Sequence, residues 1–143
     1  MINPTESENK YIIVTDTACD LSQEMLDSLG IIALPMHVII HGEDYLHYAD
    51  YRNLSKEDFF DMLKKYDDVT TSQVDLTAAE DTLRSLAESG KDILYIAFSS
   101  GLSGTYSAVK MIGEDLSEEF PERKIFVIDS LCASGGEGLL CYL

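Results

Sequence analysis

Four short apolar runs, rich in β-branched residues, punctuate this chain: YIIVT at 11–15, IIALPMHVII at 31–40, DILYIAF at 92–98 and KIFVI at 124–128. Runs this short and this continuous belong to strands buried on both faces, as in a parallel sheet covered by helices. The segments between them carry helix signals. Residues 22–29 open on Ser22 and close at Gly30, a capped helix. Ser55-Lys56-Glu57-Asp58 resembles a capping box and starts a helix whose apolar stripe is Phe59, Phe60, Leu63 and Tyr66. Thr77-Ala78-Ala79-Glu80 opens another, running to Gly90 and burying Leu83, Leu86 and Ala87. A further helix is predicted over 103–119, stopped by Pro121, and the segment 133–143 begins one more.

Buried strands alternating with amphipathic helices predict an α/β domain, three layers α/β/α around a mainly parallel sheet. Pro35 places its strand at an edge or a bulge, because proline cannot donate to a sheet ladder. Residues 41–44 read as a turn, with 45–48 pairing back across it, and 67–76 as a polar loop. In such sheets ligands collect beyond the carboxyl ends of the strands. That rule selects Asp16-Thr17, the neighbourhood of Thr71, the stretch 99–105, and Asp129-Ser130.

Charge narrows the function classes. Ten basic against 26 acidic residues give a net charge of −16. Sequence-independent nucleic-acid binding needs clustered Lys and Arg, and so does docking on anionic lipid. A well-solvated acidic surface, or one that steers a basic partner, fits instead. No apolar run reaches the ~18 residues of a membrane span. The polar start MINPTESENK lacks a signal-peptide segment, and the odd set Cys19, Cys132 and Cys141 contains no CxxC. The expectation is a cytoplasmic protein with reduced, structural cysteines.

Two segments could carry chemistry. In 92–108 (DILYIAFSSGLSGTYSA) a buried strand enters a Ser/Gly loop that opens a helix. Helix starts offer unpaired N–H groups, Gly101 and Gly104 permit close backbone approach, and Ser99, Ser100, Ser103 and Thr105 add hydroxyls. A carboxylate or phosphate oxygen suits that set, and so does plain N-capping with a tight turn. The loop lacks the Lys of a phosphate-binding GxxxxGK[ST] motif. It half-matches the nucleophile elbow GxSxG, with Ala97 at the first glycine. That pattern would make Ser99 an esterase nucleophile, but His37, His41 and His47 all precede it, against that fold's order. In 69–75 (VTTSQVD), Thr70, Thr71, Ser72 and Gln73 group neutral hydrogen-bonding side chains, suited to a carboxylate or to ordinary polar turns. His37 and His41 would lie about 13 Å apart along a strand, too far to share a metal. No metal and no cofactor is expected.

The ordered blocks IIVTDTACDLS (12–22), ALPMHVIIHGEDY (33–45), TTSQVD (70–75), IAFSSGLSGTYSA (96–108) and VIDSLCASGGEG (127–138) resemble the DegV family. The blocks span nearly the whole chain, and TSQ followed by SSGLSGT is the specific part. The resemblance implies a DegV-like N-terminal α/β domain over 1–143, with the family's C-terminal domain absent. It implies binding of one long-chain fatty acid, whose carboxylate a partner fatty acid kinase phosphorylates from ATP, while the binding protein is itself no enzyme. Thr71, Ser72, Ser99, Ser100 and Gly101 would hold the carboxylate. Asp16, Thr17, Gly104, Thr105, Asp129 and Ser130 would border the pocket. Val74 departs from the proline that usually follows TSQ in the family. Without the second domain the sheet edge should expose apolar surface, favouring self-association. The competing readings are a small serine hydrolase using Ser99 or Ser100, and a fragment that binds nothing.

Overall fold

A computed structural model describes residues 11–143; the polar N-terminal segment 1–10 lies outside them. The first sheet contains β1 (Tyr11–Asp16), β2 (Ile32–Leu34), β6 (Asp92–Ala97) and β7 (Ile125–Asp129), all parallel in the order β2-β1-β6-β7. The second contains β3 (Met36–Ile40), β4 (Glu43–His47) and β5 (Val69–Val74), antiparallel in the order β4-β3-β5. The helices are α1 (Gln23–Leu29), α2 (Lys56–Lys65), α3 (Leu76–Glu88), α4 (Thr105–Glu119) and α5 (Gly135–Tyr142). A 3-10 turn, Thr17–Cys19, follows β1.

The period of two along each strand builds the layers. Ile12 and Val14 of β1, with Ile93, Tyr95 and Ala97 of β6, face Ala79 and Leu83 of α3 and Val109 and Leu116 of α4. Ile13, Leu94 and Ile96 point the other way, toward Leu26 of α1 and Cys141 of α5. Helices therefore cover both faces of the parallel sheet, as the apolar runs predict. On the α1/α5 side, however, Phe126 and Ile128 of β7 and Leu139 of α5 stay exposed.

Caps fall largely where the sequence places them. Ser22 accepts from the Met25 N–H and Ser55 from the Asp58 N–H. Gly30 closes α1 at φ +66°, a conformation glycine adopts without strain. Five expectations change. The apolar run 31–40 is two strands, not one: Pro35 sits between β2 and β3 and hands the chain from one sheet to the other. The polar stretch 67–76 is not a loop, because 69–74 form the outer strand β5 against β3. Asp75, rather than Thr77, caps α3, accepting the Ala78 N–H at 2.6 Å. In α2 the half-buried stripe runs through Phe59, Met62 and Tyr66, while Phe60 and Leu63 face solvent.

The hairpin turn is tighter than the sequence reading. His41 and Gly42, at φ +51° and +80°, join Ile40 directly to Glu43. Two positive-φ residues match the twist of paired strands. No helix among the described residues is long and apolar enough to cross a membrane.

Candidate functional site

The carboxyl ends of β1 and β6 open toward the second sheet, and a cavity of about 490 Å³ lies between them. The turn after β1 contributes Thr17, Ala18 and Asp20. Strands β3 and β4 contribute Met36, His37, Val38 and His47, and β5 contributes Thr71, Ser72 and Gln73. The loop after β6 adds Phe98, Leu102, Ser103 and Gly104. Hydroxyl, amide and imidazole groups thus share one wall system with Met, Val, Phe and Leu side chains. This mixture fits an amphiphile, and the volume lies in the range of small-molecule sites.

A β-bulge explains why three consecutive residues of β5 reach the cavity. Met36 pairs with Val74 and Val38 with Thr71, so β5 carries one more residue than β3 over this step. A bulge breaks the two-residue alternation and re-aims side chains. Thr71, Ser72 and Gln73 therefore all line the cavity.

Asp16 organises the opposite wall. Its carboxylate accepts the Ala18 N–H at 3.0 Å and the Phe98 N–H at 3.3 Å, joining the loops after β1 and β6. Burial raises its pKa to about 6, against the lowering effect of those N–H groups. Thr17 donates to the His47 carbonyl at 3.1 Å, fastening the turn to β4. Thr105, fully buried, accepts the Val74 N–H at 3.2 Å and so ties the end of β5 to the start of α4.

Of the residues selected from the sequence, Thr17, Thr71, Ser72, Gln73, Ser103 and Gly104 line the cavity. Asp16, Ser99, Ser100, Gly101, Thr105, Asp129 and Ser130 are not part of its lining. The Ser99 hydroxyl accepts the Gly101 N–H at 3.2 Å, and the Ser99 carbonyl accepts from Leu102 and Ser103. Ser100 donates its N–H to Asp129 at 3.1 Å. The Ser100 hydroxyl first, and then the Ser100 and Leu131 N–H groups, hold the Asp129 carboxyl below its usual range. The Ser130 hydroxyl accepts the Cys132 N–H at 3.1 Å. Ser99, Ser100, Gly101, Asp129 and Ser130 thus bond one another and Cys132, building the scaffold that holds Leu102, Ser103 and Gly104 at the wall. The serine-nucleophile geometry is not assembled: among the described residues no histidine hydrogen-bonds to Ser99 or Ser100.

Sequence reasoning missed the histidines. His37 meets Asp44 at 2.9 Å through Nδ1 and Asp75 at 3.1 Å through Nε2. Burial lowers its pKa, but the two carboxylates outweigh that and raise it overall. His47 is held low, chiefly by burial, which favours its neutral form. Nothing in the local pattern marks either one, because only the packing of the second sheet against the first brings them to a cavity. Among the described residues no three His, Cys, Asp or Glu side chains converge as a metal site would. The three cysteines are free thiols, and burial pushes Cys19 up to about 12, which makes it inert.

The family model "Uncharacterised protein, DegV family" matches residues 10–142. The chain belongs to the DegV family. A DegV domain-containing protein of Clostridium perfringens is 35% identical over 133 residues, which are 93% of this chain and 45% of that protein. Another, from Lactococcus lactis, is 35% identical and covers 91% of this chain and 45% of its own length. Among solved structures, a stearic acid-binding protein of Eubacterium ventriosum superposes with a TM-score of 0.80 at 27% identity, over 91% of this chain and 44% of its own. A fatty-acid-binding DegV protein of Thermus thermophilus superposes at 0.76 and 27%, over 92% and 45%. The chain therefore spans about half the length of the DegV relatives it matches.

Proposed function

We propose that this chain binds a long-chain fatty acid, with the carboxylate held in the cavity between the two sheets. The observation that carries this reading is the amphiphilic lining: the Thr71, Ser72 and Thr17 side chains share one cavity with Met36, Val38, Phe98 and Leu102. Neutral hydroxyls hold a carboxylate without bringing a charge that must itself be desolvated. The fatty-acid-binding relatives from Eubacterium ventriosum and Thermus thermophilus support the choice of ligand. Ser99, Ser100 and Gly101 act in this reading through the loop they stiffen, and the chain is a binder rather than a catalyst.

Native mass spectrometry of protein purified from bacteria tests it. One retained acyl chain per protein, or uptake of added palmitate, is expected. A protein that neither retains nor takes up an acyl chain refutes it. Thr71→Val should weaken binding by about 1–3 kcal/mol, the cost of leaving a buried carboxylate short of a donor.

The finer part of the proposal is that a partner kinase phosphorylates the bound carboxylate. The net charge of −16 suits a partner with a basic docking face. Incubation of the loaded chain with ATP and a bacterial fatty acid kinase should give acyl phosphate, and absence of product counts against this part. The exposed face of Phe126, Ile128 and Leu139 is read as the surface through which the chain associates with further protein, its own copies included. Sedimentation that shows only monomer at high concentration would remove self-association.

A further inference from the structure

Helix α5 carries a carboxyl group that the fatty-acid reading does not use. Glu137 is fully buried, at 0% exposure. One of its oxygens accepts the Thr15 hydroxyl at 2.8 Å, and Oε2 is buried with no hydrogen-bond partner. A buried carboxylate oxygen without a donor is costly, whereas a protonated carboxyl makes that atom an O–H.

Burial and neighbouring charge favour the proton and outweigh the hydrogen bonds from the Thr15 hydroxyl and the Asp16 backbone, which favour the carboxylate. The charged groups acting on it are acidic: Asp16 at the end of β1, and Asp20 after the 3-10 turn. The other titratable groups of this cluster are Cys19 of the turn, Cys141 of α5 and Tyr95 of β6, and each of the three is itself raised, chiefly by burial. Like charges at one buried site cannot both ionise cheaply.

Glu137 also sits where α5 meets the cavity wall. The turn Thr17–Cys19 contributes Thr17 to that wall, and Asp20 follows it there. Gly138 packs so closely on this turn that a Cβ would stand 2.5 Å from the Cys19 carbonyl oxygen. Ser134, just before α5, donates to the Asp20 carboxylate. The helix, the turn and the wall are one contiguous assembly, and Glu137 lies at its centre.

We propose that Glu137 is a proton-operated latch: neutral, it holds α5 against the turn that walls the cavity, and its ionisation releases α5 and loosens that wall. The latch does not depend on what the cavity holds. Burial, followed by the charge of Asp16, raises the pKa of Glu137 from 4.5 to about 8. A carboxyl raised in the folded state stabilises the closed form at low pH and loses that contribution as pH rises toward the folded value. Opening of α5 should therefore increase by up to about tenfold per pH unit from pH 5 to 8 and then level off.

Hydrogen exchange of the α5 amides, corrected for the chemical exchange rate, measures this in the full chain and in Glu137→Gln. The wild type should show the rise up to pH 8, and the glutamine variant, which keeps an acceptor for Thr15, should lose it above pH 6, where Asp16 is already ionised. Equal pH dependence in both proteins overturns the latch. Should the variant not fold, carboxyl ¹³C titration of wild-type Glu137 decides: a midpoint near 8 supports the latch, and one near 4.5 overturns it. Neither readout involves lipid, so failure of the latch and failure of fatty-acid binding are separately visible.

Discussion

Gly138→Ala sets two known effects against each other inside α5. Alanine within a helix is favoured over glycine by about 1 kcal/mol, so an exposed site would gain stability. At position 138 the new Cβ would lie 2.5 Å from the Cys19 carbonyl oxygen, with Leu21 Cδ2 and Cγ at 3.1 and 3.2 Å. The leucine could yield by a rotamer change, but the carbonyl belongs to a turn tied down through the Ala18 N–H to Asp16 and the Thr17 hydroxyl to His47. The helix must move, and overpacking of this kind costs typically 1–3 kcal/mol. A backbone contact places the cost near the upper end. The net expectation is about 1–2 kcal/mol of destabilisation, a fall in Tm of roughly 3–8 °C for a chain of this size. Gly135→Ala is the internal control, because a Cβ there meets nothing within 4 Å. It should be neutral or slightly stabilising. The chain has no tryptophan, so urea unfolding followed by far-UV circular dichroism is the suitable assay. A Gly138→Ala protein as stable as Gly135→Ala would show that the turn adapts and that α5 is not seated as tightly as described.

Thr105→Val leaves the buried Val74 N–H without its acceptor and should cost about 1–3 kcal/mol in urea unfolding, while Thr105→Ser should recover much of it; equal stability of the two would refute the tether. His37 has a raised folded pKa, so its contribution to stability is complete below pH 6.5 and is lost as pH rises through the folded value. Stability curves from pH 5 to 9 for wild type and His37→Gln should diverge most on the acid side, and parallel curves would refute the bridge to Asp44 and Asp75. Gly104→Ala puts a Cβ 2.9 Å from Gln73 Oε1, the free end of a flexible side chain. It should leave Tm within about 2 °C but change affinity for a fatty acid, because Gln73 must turn within the cavity it lines; unchanged affinity measured by calorimetry would mean that Gln73 plays no part in the site.

What the sequence determined by itself is local. The runs at 11–15 and 92–98 are strands because a short, unbroken apolar segment must be covered on both faces. The caps at Ser22 and Ser55 and the stop at Gly30 follow from hydrogen bonds and dihedrals spanning a few residues. The parallel α/β sheet, and the location of a cavity beyond its carboxyl ends, follow from those segments in order. The ordered blocks also carried the family. The tertiary structure decided what depends on distant partners. Residues 69–74 form a strand although their pattern is polar, because β3 offers a sheet edge and the cavity keeps Thr71, Ser72 and Gln73 from needing apolar cover. Which hydroxyls face the cavity, and which are spent inside the loop as Ser99 is, depends on the N–H groups that Asp16 and Ser99 collect. Glu137 reads locally as one more acidic residue in a glycine-rich segment. Only the packing of α5 on a turn more than a hundred residues earlier buries it beside Asp16, because desolvation comes from the fold and not from the neighbours in sequence.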